Sequence, residues 1–269
     1  MRHQLKDHLS SALILGFLVL QALAFGYLLS GWIGALFVLI VAGLLGSSSR
    51  APIKLVLRVV GARRLHRGQL QPLQRLTARL ARRAGLSTAP TLALIPTELP
   101  NAMALGSQQG PVIAITQGLL HQLSARELAG VLAHEISHIA HDDLGRMAFA
   151  QAFAHFSSVG GQLGGVLLIL AFLSGQPQLA LAALVLMPGP LVAQLALLAL
   201  SRRRELAADH RAVQLTGDPV ALATALQVID AQASTLGRLV GIPGGLQPPL
   251  LRTHPATEAR VARLRAMAA

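Results

Sequence analysis

The chain has 269 residues, 53% of them hydrophobic and 13% charged, with a mean hydropathy of +0.56 and a formal net charge of +12. That balance excludes an ordinary soluble domain, and the lack of any cysteine excludes disulfides and thiolate metal sites. Nucleic acid is a poor match for the positive charge, because aromatics make up only 3% of the chain and no base-stacking motif is present.

Two tracts carry no Asp, Glu, Lys or Arg, one between Asp7 and Arg50 and the other between Arg146 and Arg202. Each has room for two spanning helices of about 20 residues. Residues 11–46 would measure about 54 Å as one helix, against a bilayer core of about 30 Å. The chain should therefore fold back, and Ser30-Gly31-Trp32 is the expected turn. A cleaved leader is the rival reading, since Arg2 and Lys6 precede the apolar run and Ala22-Leu23-Ala24 resembles a cleavage site. Apolar character resumes directly after Ala24, which favours the hairpin.

Residues 50–83 hold ten basic residues and no acidic one. The positive-inside rule places such a segment in the cytoplasm, and its arginines suit the anionic headgroups of a lipid bilayer. The spacing of Leu55, Val59, Leu65, Leu70, Leu73, Leu76 and Leu80 predicts helix. Between Gly85 and Gly118, the apolar runs 91–95, 102–105 and 112–116 alternate with Pro96, Pro100, Gly106, Gly110 and Pro111, which predicts a small sheet. Of these, the run Val112, Ile113, Ala114, Ile115 and Thr116 is expected to be an exposed edge strand to which an extended substrate adds through its main chain.

A capping box, Ser124-x-x-Glu127, opens a helix that carries Leu128, Val131 and Leu132 toward His141. The second uncharged tract breaks at Ser174-Gly175-Gln176-Pro177-Gln178, and Pro188-Gly189-Pro190 should kink its return limb. Arg202, Arg203 and Arg204 then end the span on the side set by residues 50–83 and Arg146.

The predicted helix contains His134-Glu135-Ile136-Ser137-His138. Spacing of i, i+4 puts the two imidazoles on one face a turn apart, as two ligands of one tetrahedral zinc require. Glu135 would lie beside the metal, where a carboxylate can take a proton from zinc-held water. The plain alternative is a core helix with two partly buried histidines. A catalytic zinc needs a third protein ligand, and Glu205 and Asp209 offer carboxylates at i, i+4 after the second hairpin. One could bind the metal while the other accepts the far ring proton of a ligand histidine. Spacing leaves their order open.

Four segments stand in a telling order: Pro100-Asn101-Ala102-Met103-Ala104-Leu105-Gly106, then His134 to His138 with Asp143, then Ser201-Arg202-Arg203-Arg204-Glu205 with Ala208-Asp209, then Thr253-His254-Pro255 with Arg260 and Leu264. In these the chain resembles the HtpX family of membrane-bound zinc metalloproteases, relatives of the CAAX prenyl endoproteases. The resemblance implies one zinc ion per chain held by His134, His138 and Glu205, with Asp209 behind the ligands. It places Asn101 and His254 beside the substrate, His254 as donor to the oxyanion, and Arg260 as a brace. It implies an endopeptidase for quality control of membrane proteins or unfolded polypeptides in the bacterial inner membrane, and the basic flanks put the active site on the cytoplasmic side. Met103 and Leu105 depart from the pattern, which bears on subsite preference. The competing readings are a non-cleaving zinc scaffold, a basic membrane adapter for anionic lipid or nucleic acid with an accidental His-Glu-x-x-His, and a CAAX-type processing protease.

The expected architecture is mainly α, with transmembrane hairpins at 1–49 and 147–201. Segments 50–146 and 202–269 would form a cytoplasmic α+β zincin-type protease domain with a small sheet.

Overall fold

The computed structural model describes residues 16, 19–20, 23, 26–27, 30–36, 39–40, 53–65, 70–106, 108–141, 143–239 and 257–268. Its contacts divide the chain into two units, Met1–Ser49 with Arg146–Leu200 and Arg50–Gly145 with Ser201–Ala269.

The second unit opens with α1 (Ile53–Val59), β1 (Arg63–Arg64) and α2 (Gln71–Arg83), so the helix expected throughout 50–83 is interrupted. Gly61 adopts a left-handed φ of 66°, which ends α1, and the arginines after it pair antiparallel with β2 (Thr91–Ile95) through Arg63↔Leu94 and Arg64↔Ala93. A long-range strand partner here outweighs helical periodicity.

With β3 (Ala102–Leu105) and β4 (Val112–Thr116) the sheet has the order β1-β2-β4-β3. This corrects the expectation for Val112–Thr116. The strand is interior, parallel to β2 on one side and antiparallel to β3 on the other, and all five residues are buried. Its continuous apolar run is the mark of a strand covered on both faces, whereas an edge strand with one wet face alternates. The edge beside β4 is β3.

Helix α3 (Gln117–Gln122) leads into α4 (Ala125–Ala140), and both bonds of the Ser124/Glu127 capping box are present. Leu132 and Ile136 of α4 enter the core with Ile113, Ile115 and Leu119. The unit is completed by the last part of α7 (Gly189–Thr216), by α8 (Pro219–Leu239) and by α9 (Thr257–Ala266). A Cβ on Gly130 of α4 would stand 3.2 Å from the Leu222 backbone of α8, so glycine lets these two helices approach closely.

In the first unit the chain reverses near the expected turn. Gly31 has φ 59°, and a Cβ on Gly34 would fall on the carbonyl of Gly26. Most of residues 11–46 lies outside the described residues. Helices α5 (Asp143–Ser174) and α6 (Pro177–Leu186) are joined at Gly175, φ 67°, and α7 (Gly189–Thr216) starts after a break at Met187 and Pro188. Among the described residues, Ala154–Ser174 and Pro177–Thr216 are long and apolar enough to cross a membrane. Phe172, Leu173, Leu181 and Leu184 stand exposed along them, as lipid-facing rather than core side chains do.

Candidate metal centre

Helix α4 presents His134 and His138 one turn apart on its buried face, and α7 brings Glu205 and Asp209 against them. The Nε2 atoms of the two imidazoles are 3.2 Å apart. Glu205 faces both rings with its two oxygens, Oε2 at 3.3 Å from His134 Nε2 and Oε1 at 3.4 Å from His138 Nε2. Tetrahedral zinc with bonds of about 2.0–2.1 Å separates its ligand atoms by about 3.3 Å, so the spacing of these donors fits that ion. No other donor set of this kind occurs among the described residues.

The carboxylates divide by position. Asp209 Oδ1 stands 2.9 Å from Nδ1 of His134, the ring nitrogen facing away from Glu205. Its two oxygens also receive a paired donation from Arg260 of α9, Nε to Oδ2 at 2.7 Å and Nη2 to Oδ1 at 2.6 Å. Arg260 reaches Glu205 as well, with Nη1 at 3.1 Å from Oε2. Asp209 thereby orients an imidazole, while Glu205 shares the space between the two Nε2 atoms.

Electrostatics favour a cation in this pocket. Burial works against charge on His134, but the hydrogen bonds to Asp209 and Glu205 and the Glu205 charge outweigh it and push the pKa up to about 10, with Arg260 opposing. Burial likewise opposes the Arg260 charge, and the Asp209 carboxylate bonded to it, with Glu205 and Glu135, holds that guanidinium protonated more firmly than usual. A site that retains a proton among carboxylates can exchange it for a metal ion, since ligands lose protons as metal binds.

Glu135 is 8% exposed, and its Oε2 accepts a hydrogen bond of 2.8 Å from the backbone N–H of Ala104 in β3. This tie between the HExxH carboxylate and the edge strand was invisible in sequence, because a backbone amide has no residue signature. Asn101, at the start of β3, is locked to the end of β4: its N–H donates to Thr116 Oγ1 at 2.8 Å and its carbonyl accepts from Thr116 N at 3.0 Å. Val112, Ile113, Ala114 and Ile115 are buried in the sheet with no free edge. His254 lies outside the described residues.

A family model described as peptidase family M48 matches residues 69–268. Proteins described as protease HtpX homologues are similar over nearly the whole chain. The one from Salinibacter ruber is 35% identical, covering 96% of this chain and 97% of its own. For Thermococcus sibiricus the identity is 34%, with 97% and 96% covered, and for Aquifex aeolicus 33%, with 90% and 87% covered. The crystal structure of Ste24p from S. mikatae shares the fold at a TM-score of 0.54 and 18% identity, over 97% of this chain. The chain spans 65% of the length of Ste24p.

Proposed function

Since the chain belongs to peptidase family M48, among the HtpX proteases, we propose that it is a membrane-bound zinc endopeptidase acting on membrane proteins or unfolded polypeptides. The observation that carries this reading is the convergence of His134, His138 and Glu205: the two Nε2 atoms are 3.2 Å apart, and one Glu205 oxygen lies 3.3 Å from the first while the other lies 3.4 Å from the second, close to the ligand spacing of tetrahedral zinc.

When bound, zinc supplies Lewis acidity, which lowers the pKa of water to about 7 and polarises a peptide carbonyl. Glu135 is the general base: it takes the proton of the attacking water and returns it to the leaving amine. The Ala104 amide holds one Glu135 oxygen at 2.8 Å, which fixes the carboxylate's direction and leaves the other oxygen for the proton. Asp209 holds His134 by its Nδ1 face, and Arg260 neutralises the surplus charge of the two carboxylates. The substrate chain adds along β3, whose far side is taken by no other strand among the described residues. Asn101 stands at the end of that edge, and His254 is assigned to the oxyanion by the resemblance alone.

The arginines at residues 50–83 and 202–204 support a cytoplasmic active site in a bacterial inner membrane, and a quality-control role follows from the HtpX kinship. Because the chain has no cysteine, one introduced at exposed Ser87 can report sidedness. Labelling there from the periplasmic side would reverse the topology.

The decisive test compares purified full-length wild type with Glu135→Gln. Both should carry one zinc per chain, while peptide hydrolysis falls roughly 10²–10⁴-fold without the base. Absence of zinc from the wild type, or full activity in Glu135→Gln, would sink the reading.

A further inference from the structure

Helix α2 divides cleanly around its axis. Leu73, Thr77, Leu80 and Ala81 are buried, while Arg75, Arg79 and Arg82 are exposed. At 100° per residue these three arginines fall within about 60° of one another on the face opposite the core. Arg75 donates to Gln71, and among the described residues no carboxylate lies within ion-pair distance of Arg75, Arg79 or Arg82. In the sequence, no Asp or Glu occurs between Asp7 and Glu98. Before the helix in sequence, strand β1 exposes Arg63 and Arg64 at the outer edge of the sheet.

Ordinary surface helices intersperse both signs of charge, and a solvated face has no need to exclude carboxylates over so long a stretch. The start of α2 carries a second irregularity. Leu70, the residue that precedes the helix, is held in the left-handed region at φ 47°, ψ 44°, and is 41% exposed. A row of arginines preceded in sequence by an exposed leucine suits an interface with an anionic surface and an apolar interior behind it. No Phe, Trp or Tyr occurs between Phe37 and Phe149, so the segment lacks the large aromatic platforms on which single-stranded nucleic acid stacks. The helix also closes the basic stretch 50–83 that follows the first uncharged tract in sequence, where basic residues meet lipid headgroups.

We propose that the arginine face of α2, with Leu70 just before the helix, docks the second unit on the anionic phospholipid surface of the bilayer. The phosphates receive Arg75, Arg79 and Arg82, and Leu70 inserts among the headgroups. This inference rests on the membrane reading of the chain and is independent of its peptidase activity. A protein that enters lipid discs but lacks zinc or hydrolysis still reports on it, whereas one that enters no lipid overturns the membrane reading itself.

The test uses the full chain with a single fluorophore on Gln71→Cys, reconstituted into discs of phosphatidylcholine alone or mixed with phosphatidylglycerol, each with a headgroup-linked quencher. Quenching should be strong in the anionic discs, weak in the zwitterionic ones, and reversed by high salt. Each juxtamembrane arginine contributes about fivefold to surface association, so Arg75→Gln/Arg79→Gln/Arg82→Gln should shift the docked equilibrium on the order of a hundredfold. The triple Lys variant keeps the charge, and its quenching should remain, which separates docking from any folding defect of the Gln variant. Equal quenching in both lipids, or quenching that survives the triple Gln change, overturns the proposal. So does a label that ignores anionic lipid and responds to an added oligonucleotide, which would make the face a nucleic-acid surface.

Discussion

Replacing Arg260 by methionine, which keeps the stem and removes the charge, should destabilise the metal-free second unit severely. Arg260 is 3% exposed and makes three contacts of 2.6–3.1 Å to the carboxylates of Asp209 and Glu205, each also 3% exposed. Without the guanidinium, the buried carboxylates of Asp209 and Glu205 lose the cation that bridges them. Breaking a buried ion pair by removing one partner costs about 3–5 kcal/mol, because the remaining charge stays desolvated. One kcal/mol corresponds to roughly 2–4 °C for a unit of this size, so Tm should fall by roughly 6–20 °C. Arg260→Lys should lie between, since a single ammonium cannot match the paired donation to Asp209. The assay is thermal unfolding of chelator-treated full-length protein in detergent, at one scan rate for all variants. A Tm for Arg260→Met within about 2 °C of wild type, less than the shift of a single kcal/mol, would refute the reasoning and show that the carboxylates relax to water or to other partners.

The carboxylates of α7 should separate in metal analysis: Glu205→Ala should lose bound zinc, whereas Asp209→Asn should retain it with affinity or activity reduced about 10–100-fold. The opposite ranking would make Asp209 the ligand. In the first unit, a Cβ on Gly161 would sit 2.3 Å from Cγ of Pro190. Gly161→Val should therefore destabilise the packing of α5 on α7 by about 1–3 kcal/mol, read as a lower Tm in detergent, and an unchanged Tm would show that α7 shifts freely. Asp218 Oδ1 accepts from Ala221 N at 3.1 Å at the start of α8, and Asp218→Ala should cost about 0.5–2 kcal/mol. The Ala221 amide, against a burial effect, and then Arg126 lower the Asp218 pKa below its usual 3.8. Its charge-dependent contribution is thus full above about 3.8 and vanishes as pH falls through the lower folded value. The Tm gap between wild type and Asp218→Ala should accordingly narrow in strong acid, and a gap that widens there would contradict the assignment.

Local chemistry was legible before any fold. The capping box at Ser124 and Glu127 forms as expected, and the strands fall at 91–95, 102–105 and 112–116 where proline and glycine bracket the apolar runs. His134 and His138 share a helix face because four residues make about one turn. These features depend on neighbours within a turn or a strand, so sequence alone determined them. Tertiary pairing decided the rest. Glu205 and Asp209 lie on one face of α7 and are equivalent by spacing, and only packing against α4 and Arg260 sends one toward both Nε2 atoms and the other to Nδ1. Residues 63–64 left a helical pattern for a strand because β2 offered them hydrogen bonds. Strand order made β4 interior and β3 the edge, and it brought the Ala104 amide to Glu135 across 31 residues of chain. Those outcomes depend on which distant segments meet, and residue spacing along the chain carries no record of that.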